Sequence, residues 1–406
     1  MSNLTYRRNE ISYWRSLRIR SFYFVVDLVL LLPLVMLAAL SRLARRPVDI
    51  GLGPLPIVNS IHHKKCFQSY GYSCETYTDD VWHITTDFDV QFSRYARGSL
   101  RLLLPYVVYI FAIFRYRCLY LYFSGGPLRA TTILSRFEPL LYQIAGMRTV
   151  VMAFGMDVNE LTRTPNKNFV AALARDYPWF RHERLRVAAL IDAWTRGASY
   201  IIAGADWIDY LYFWDKLILS HFAIDTNAVR SEPADSASAP SPLKLIHAPN
   251  HRHAKGTPHI VAAVEELRSE GVAIELRILE RVPNEEVHRA IREADVVVDQ
   301  IVIGWYAMFA IEGMALGKPV ICYLRDDLVD FYAAQGLVSR EDIPILSASH
   351  ESIKDVLRRL ASTDRRELVN FGMKSRSFVE QFHSIEKVGQ IFDEVNRTLG
   401  VLPRGN

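Results

Sequence analysis

Residues 243–280 read "LKLIHAPNHRHAKGTPHIVAAVEELRSEGVAIELRILE". The stretch opens on a short apolar run, "LKLIHAP" (243–249), which predicts a strand ending at a proline. "HIVAAVEELRSEG" (259–271) has helical spacing and a glycine stop, and "IELRILE" (274–280) reads as the next strand. Strand, loop, helix and strand in that order make a parallel pair joined by a crossover helix. The pattern continues with a helix at "NEEVHRAIREA" (284–294), a buried strand at "DVVVDQIVI" (295–303), a helix, and a strand at "GKPVICYL" (317–324).

Upstream, "RSEPADSASAPSP" (230–242) has the composition of a surface linker. Before it the alternation repeats. "VDIGLGPLPIVN" (48–59) is a strand entering a glycine-rich turn, "SIHHKKCFQSYGY" (60–72) a helix and "SCETYT" (73–78) a strand. "CLYLYF" (118–123), "RTVVMAF" (148–154) and "SYIIAG" (199–204) add further strands. The fold class is therefore α/β: two Rossmann-like parallel-sheet domains, 48–229 and 243–381, facing a cleft at the carboxyl ends of their strands, plus an N-terminal hydrophobic helix.

The chain of 406 residues is 50% apolar and 23% charged, with a formal charge of +4, which suits anionic small molecules or a membrane surface. No dense basic stripe with interleaved aromatics is present, so nucleic acid is not an expected partner. Cys66, Cys74, Cys118 and Cys322 form no CxxC pair, which argues against zinc and disulfides and for a reducing, cytosolic setting.

The amino-terminal segment 1–47 holds "FYFVVDLVLLLPLVMLAAL" (22–40), about long enough to cross a bilayer. Asp27 and Pro33 spoil a simple span. Arg7, Arg8, Arg15, Arg18 and Arg20 precede it and Arg42, Arg45 and Arg46 follow, so it is basic at both ends. A monotopic or re-entrant anchor with both ends on the cytoplasmic face is the favoured reading; a single span and a buried first helix are the alternatives. "SRLARR" (41–46) stands where a signal peptide would carry its small-residue cleavage site. "LRLLLPYVVYIFAIF" (100–114), broken by Pro105, reads as a buried helix.

"HAPNHRHAKGT" (247–257) lies between a strand and a helix, where backbone N–H groups and the helix dipole favour an anion and Arg252 and Lys255 add positive charge. A merely solvated basic loop is the alternative. His247, His251 and His253 match no zinc pattern, and no metal is expected. Glu312, in a helix with the small residues Ala307, Ala310 and Gly313, is suited to accept two ribose hydroxyls, or else pairs with an arginine or reaches solvent. "GLGPLP" (51–56) lacks the third glycine of a dinucleotide fingerprint, and Lys318 is followed by Pro319, so neither motif is a nucleotide loop of the usual kind.

"HAPNHRHAKGT", "ADVVVDQIVIGWYAMFAIEGMALGKPVI" (294–321) and "GMKSRSFVEQFHSIEKV" (372–388) together resemble the retaining glycosyltransferases of family 4, which have the two-domain GT-B fold. The resemblance covers about residues 48–400. It implies that Lys255 and an arginine near Asn250, best matched by Arg252, bind the donor diphosphate, and that Glu312 binds the donor ribose. Gly304 falls where the family keeps its first glutamate, and Trp305, Tyr306 and Ala307 replace a glycine-aromatic-glycine turn whose backbone amides would face the donor beside Gln300. "FGMD" (154–157) puts Phe154 at the family's histidine and Asp157 on the acceptor side or in a helix cap. Gly51 and Gly53 would line the acceptor cleft, and His62 or His63, the latter preferred, would face the acceptor or serve as a local cap. The tail 382–406 would cross back to the first domain.

The implied activity is transfer of a sugar from a nucleotide-sugar co-substrate, with retention, to a lipid-linked or glycan acceptor of a surface-polysaccharide pathway, with neither metal nor cofactor. A catalytically degenerate nucleotide-binding scaffold and a sugar-nucleotide epimerase of the same fold are the alternatives.

Overall fold

The strand–helix–strand unit of 243–280 is realised as β8 (Leu243–His247), α7 (Thr257–Ser269) and β9 (Ile274–Ile278) in the computed structural model. Residues 2–80, 87–96, 98–229 and 242–404 are described, with side chains from Leu17 onward. The linker expected at 230–242 lies, except for Pro242, outside the described residues.

The first unit carries β1 (Val48–Leu52), β2 (Cys74–Thr78), β3 (Val90–Gln91), β4 (Tyr116–Tyr122), β5 (Arg148–Met152), β6 (Tyr200–Ala203) and β7 (Lys216–Leu217). They form one sheet in the order β3-β2-β1-β4-β5-β6-β7, with every pair parallel. Around it lie α1 (Ser2–Ser41), α2 (Asn59–Ser69), α3 (Leu104–Arg115), α4 (Leu134–Ile144), α5 (Lys167–Asp176) and α6 (Arg184–Gly197).

The second unit adds α8 (Asn284–Glu293), β10 (Val296–Val298), α9 (Met308–Ala315), β11 (Val320–Cys322), α10 (Asp326–Ala334), β12 (Ile345–Ser347), α11 (Ile353–Ala361), α12 (Arg365–Phe382) and α13 (Ile385–Thr398). Its sheet runs β12-β11-β10-β8-β9 and is again wholly parallel. Val296, Val297 and Val298 are fully buried, as a central strand covered by helices on both faces requires.

Side-chain chemistry marks the helix ends. Asn166 Oδ1 accepts from Phe169 N (3.0 Å) to start α5, and Pro258 sits in the first turn of α7, where no N–H is needed. Pro105 likewise falls in the first turn of α3 and does not interrupt it. After α12 the chain breaks at His383, Ser384 caps Lys387 N, and α13 lies against the first unit. There Phe392 stacks on Phe67 of α2 at 4.9 Å, and Tyr72 and Tyr120 donate to Asp393 (2.8 Å) and Asn396 (2.9 Å).

The amino-terminal helix packs along α3 and α4 of the first unit. Asp27 is buried there, 1% exposed, and its carboxylate accepts from the Tyr106 hydroxyl (2.7 Å) and the amides of Thr132 (3.0 Å), Ile133 (2.6 Å) and Leu134 (3.2 Å). It thereby caps α4 from another helix, satisfying N–H groups that the turn leaves open. Arg46 is a second fastening: its guanidinium donates to Ile113 O (2.8 Å) at the end of α3 and to Ala145 O just past α4.

Candidate functional site

In the second sheet the strand order reverses between β8 and β10, so the loops that follow these two strands leave side by side. Such a crevice is where open α/β sheets bind ligands. Lys255, on the first loop, reaches across it to Asp299, on the second, with Nζ 2.6 Å from Oδ1. Lys255 is 7% exposed and Asp299 is fully buried. The other Asp299 oxygen accepts from Ala307 N (3.0 Å) and so starts α9. Arg252 stays exposed on the rim, 3.4 Å from Glu280, and Asn250 is exposed beside it. His247 is a core residue whose ring nitrogens meet Val298 O (2.8 Å) and Thr257 Oγ1 (2.9 Å); burial lowers its pKa to about 4.

Glu312 sits on α9, 6% exposed. Its partners are an amide and an imidazole: Asn284 Nδ2 at 3.1 Å and His288 Nε2 at 3.3 Å, both on α8. The turn leading into α9 is built differently from what its residues suggest. Trp305 and Tyr306 are buried and stacked on each other, Trp305 also lies 4.8 Å from Tyr332, and Tyr306 Oη meets His383 Nε2 at 2.9 Å. Gln300 is 4% exposed and its amide holds Trp305 O. These three side chains fasten the turn from behind, and Ala307 N is taken by Asp299.

Gly304 has φ +106°, a conformation that disfavours a side chain, and a Cβ there would lie 2.6 Å from Arg325 Cδ. The space that a side chain at 304 would enter is thus filled by Arg325, from the loop after β11. Arg325 is itself held by Asp209 of the first unit (2.5 Å) and by Asp327.

The acceptor-side candidates make most of their contacts within the first unit. A Cβ on Gly51 would meet the Tyr116 ring at 2.6 Å and one on Gly53 would meet Tyr77 O at 2.1 Å, so both glycines admit close packing within the first unit. His63 is fully buried, with Nε2 on His221 O (2.8 Å) and its ring edge-on to Phe392 (5.1 Å); burial holds its pKa well below the ordinary value. Its neighbour His62 is the one turned toward the second unit. Burial lowers the His62 pKa, with the charge of Glu312 acting in opposition, and its Nδ1 has no partner. Asp157 accepts from the amides of Phe123 (3.0 Å), Phe154 (3.0 Å) and Gly155 (2.9 Å), clamping the turns after β4 and β5; burial raises its pKa to about 7.

Direct contacts close the two units on each other. Asn166 Nδ2 donates to Val302 O and Ile303 O, both at 2.8 Å. Asp176 receives His253 N (3.0 Å), Ala254 N (2.9 Å) and His253 Nδ1 (2.7 Å); against the opposing effect of burial, these bonds hold its pKa below the usual carboxylate range. A cavity of about 460 Å³ lies beside this seam, lined by Asn166 and Lys167 on one side and Tyr323, Arg325 and Asp327 on the other.

Two sheets of this topology, with a final helix returned to the first, match known structures over nearly the whole chain. HepE of Anabaena, solved with UDP and glucose, superposes with a TM-score of 0.57 over 87% of this chain and 100% of its own, at 14% identity. Sucrose-phosphate synthase from Thermosynechococcus elongatus gives 0.57 over 88% and 99%, also at 14% identity. The fold is GT-B. No family model matches the sequence, and no curated protein matches it either. Within the GT-B frame, Lys255, Asp299 and Glu312 lie at the carboxyl edge of the second sheet, facing the first unit. Asp299 and Arg325 are charged neighbours of the crevice that motif reasoning passed over, and His62 is the less favoured of the two histidines it considered. Asp299 and Arg325 carried one usable signal, a charged residue directly after an apolar strand, whereas nothing local separates His62 from His63.

Proposed function

We propose that the protein is a glycosyltransferase that moves a sugar from a nucleotide donor to a lipid-linked or glycan acceptor, with retention of configuration and without a metal ion. One observation carries this reading. Glu312 is a nearly buried carboxylate in the cleft whose partners, Asn284 and His288, are a neutral amide and an imidazole, so lone pairs stay available for two hydroxyls. A ribose presents such a pair. HepE, of like fold, is solved with UDP and glucose, which supports a uridine diphosphate donor as the first to try.

In this reading departure of the nucleotide diphosphate builds negative charge near Lys255 and Arg252, in a partly dry cleft where such charge is strongly stabilised. Asp299 orients the Lys255 ammonium and balances it until the diphosphate arrives. The acceptor hydroxyl attacks on the face the diphosphate leaves. Entry requires the units to part at the Asn166, Asp176 and Asp209 contacts and at the bond from Tyr332 Oη to Ala205 O (2.7 Å), as in other two-domain enzymes that close on substrate.

A second reading has an observation in its favour. Gly304 stands in place of a glutamate, and Arg325 occupies the space above it, as in a nucleotide-binding scaffold without turnover. Thermal unfolding with UDP, GDP and ADP, followed by assay of the corresponding sugar nucleotides with a polyprenyl-phosphate acceptor, separates the two. Acceptor-dependent consumption supports the transferase, stabilisation without consumption supports the scaffold, and no stabilisation by any nucleotide defeats both.

A further inference from the structure

The amino-terminal helix presents two unlike faces. Its inward residues Tyr23, Asp27, Leu34, Ala38 and Ser41 are at most 5% exposed and recur at spacings of four, seven, four and three, a narrow stripe of heptad type. Outward lie Phe24, Val25, Leu28, Val29, Leu32 and Met36, between 47% and 72% exposed. Asp27 is the only Asp, Glu, Lys, Arg or His in 22–40 and it is turned inward, so the outward face carries no charge over about 28 Å of helix. The helices beneath continue the apolar character, with Val107 of α3 and Phe137 and Leu140 of α4 about half exposed. Soluble surfaces seldom carry so extended an apolar face.

We infer that α1 is a non-spanning membrane anchor, lying in the plane of one leaflet of an anionic bilayer with the face from Phe24 to Leu40 in the acyl region. Two features identify the occupant. Exposed Arg18 and Arg20 stand at one end of the apolar stretch and exposed Arg42 and Arg45 at the other, placed to meet anionic headgroups at both ends at once. Pairing of two copies through the same face would instead set arginines against arginines in either orientation. The depth is limited by the fold. Drawing the helix through the bilayer would strip Asp27 from Tyr106 and from the three amides it caps, and would pull Arg46 off the carbonyls at the ends of α3 and α4. The anchor is therefore a wall of the first domain, not a detachable tail, and it holds the inter-domain cleft at a fixed height over the surface. This inference does not depend on the chemistry in the cleft.

Flotation of the full-length protein with vesicles tests it. Binding to phosphatidylcholine vesicles containing phosphatidylglycerol is expected, and Val29→Glu/Leu32→Glu/Met36→Glu is expected to reduce it about tenfold or more, because each outward charge is costly at depth. Unchanged thermal unfolding of that variant shows that the inward stripe is intact. Arg18→Glu/Arg20→Glu/Arg42→Glu/Arg45→Glu should remove the preference for anionic over neutral vesicles. Because Cys66, Cys74, Cys118 and Cys322 are buried, Leu17→Cys and Leu43→Cys report topology through an impermeant maleimide added outside sealed vesicles. Labelling of both supports the in-plane anchor. Protection of one end, unchanged flotation of the triple variant, or association into dimers without vesicle binding would each overturn it.

Discussion

Asp27 and Glu312 are both single carboxylates inside apolar helices, and they have opposite fates. Asp27 has four fixed donors, a hydroxyl and three backbone amides, and is 1% exposed. Glu312 has one side-chain amide and one imidazole in reach. A buried carboxylate whose lone pairs are all met by the fold is a structural device; one left partly unmet at the edge of a cleft has capacity to bind. Burial alone does not tell the two apart.

The largest effect is expected at Asp27. Asp27→Ala leaves three amides and a hydroxyl without partners and should cost about 3 kcal/mol or more, read as a lowered urea midpoint. A loss under about 1 kcal/mol would break the contrast. For the same reason removal of residues 1–46 should yield misfolded protein, not a soluble domain.

Lys255 stands between the two cases, being both buried and set at the crevice between the loops after β8 and β10. Lys255→Met should destabilise by about 3 kcal/mol, because Asp299 is left as an unpaired buried charge. Adding Asp299→Leu should restore much of that stability in urea unfolding without restoring nucleotide binding, which separates the structural from the ligand-binding part of the pair.

His383 is the titratable counterpart of Asp27, with both ring nitrogens engaged by Phe222 O (3.0 Å) and Tyr306 Oη (2.9 Å). Burial lowers its pKa to about 4. The folded chain keeps this imidazole neutral while the unfolded chain takes up a proton below about pH 6.5, so its contribution to stability is present at pH 7 and is lost as pH falls toward 4. Between pH 7 and 5 this residue should account for about 1–2 kcal/mol of lost stability, and His383→Gln should flatten that dependence in unfolding curves recorded at the two pH values.

Glu312→Gln should be the mildest for the fold, within about 1 kcal/mol by urea unfolding, since an amide can still meet Asn284 and His288. Calorimetric affinity for UDP should nevertheless fall about tenfold or more, as expected when a charged acceptor of two hydroxyls is replaced. Unchanged affinity would remove Glu312 from the site.

Much of the fold was legible locally, because parallel strands buried on both faces read as short apolar runs, and 243–280 declares its unit through spacing and a glycine stop. The loop around Lys255 and the helix of Glu312 were legible too, through their place after strands. The turn at 304–307 was not. Trp305 and Tyr306 have the residue types of a ligand platform, yet they pack against Tyr332 and His383, which are remote in the chain. His62 and His63 are adjacent and chemically equal, and only the phase of α2 against α13 sends one inward and the other toward the cleft.

By itself the sequence determined the two-sheet architecture, the loop that carries Lys255 and the presence of one apolar helix bounded by arginines. These depend on periodicity and composition, which act within a few residues. Tertiary structure decided which lone carboxylate is satisfied, which glycine admits a neighbour and which face of the first helix is left exposed. Each of those depends on donors and side chains supplied from tens to hundreds of residues away, and no local pattern encodes them.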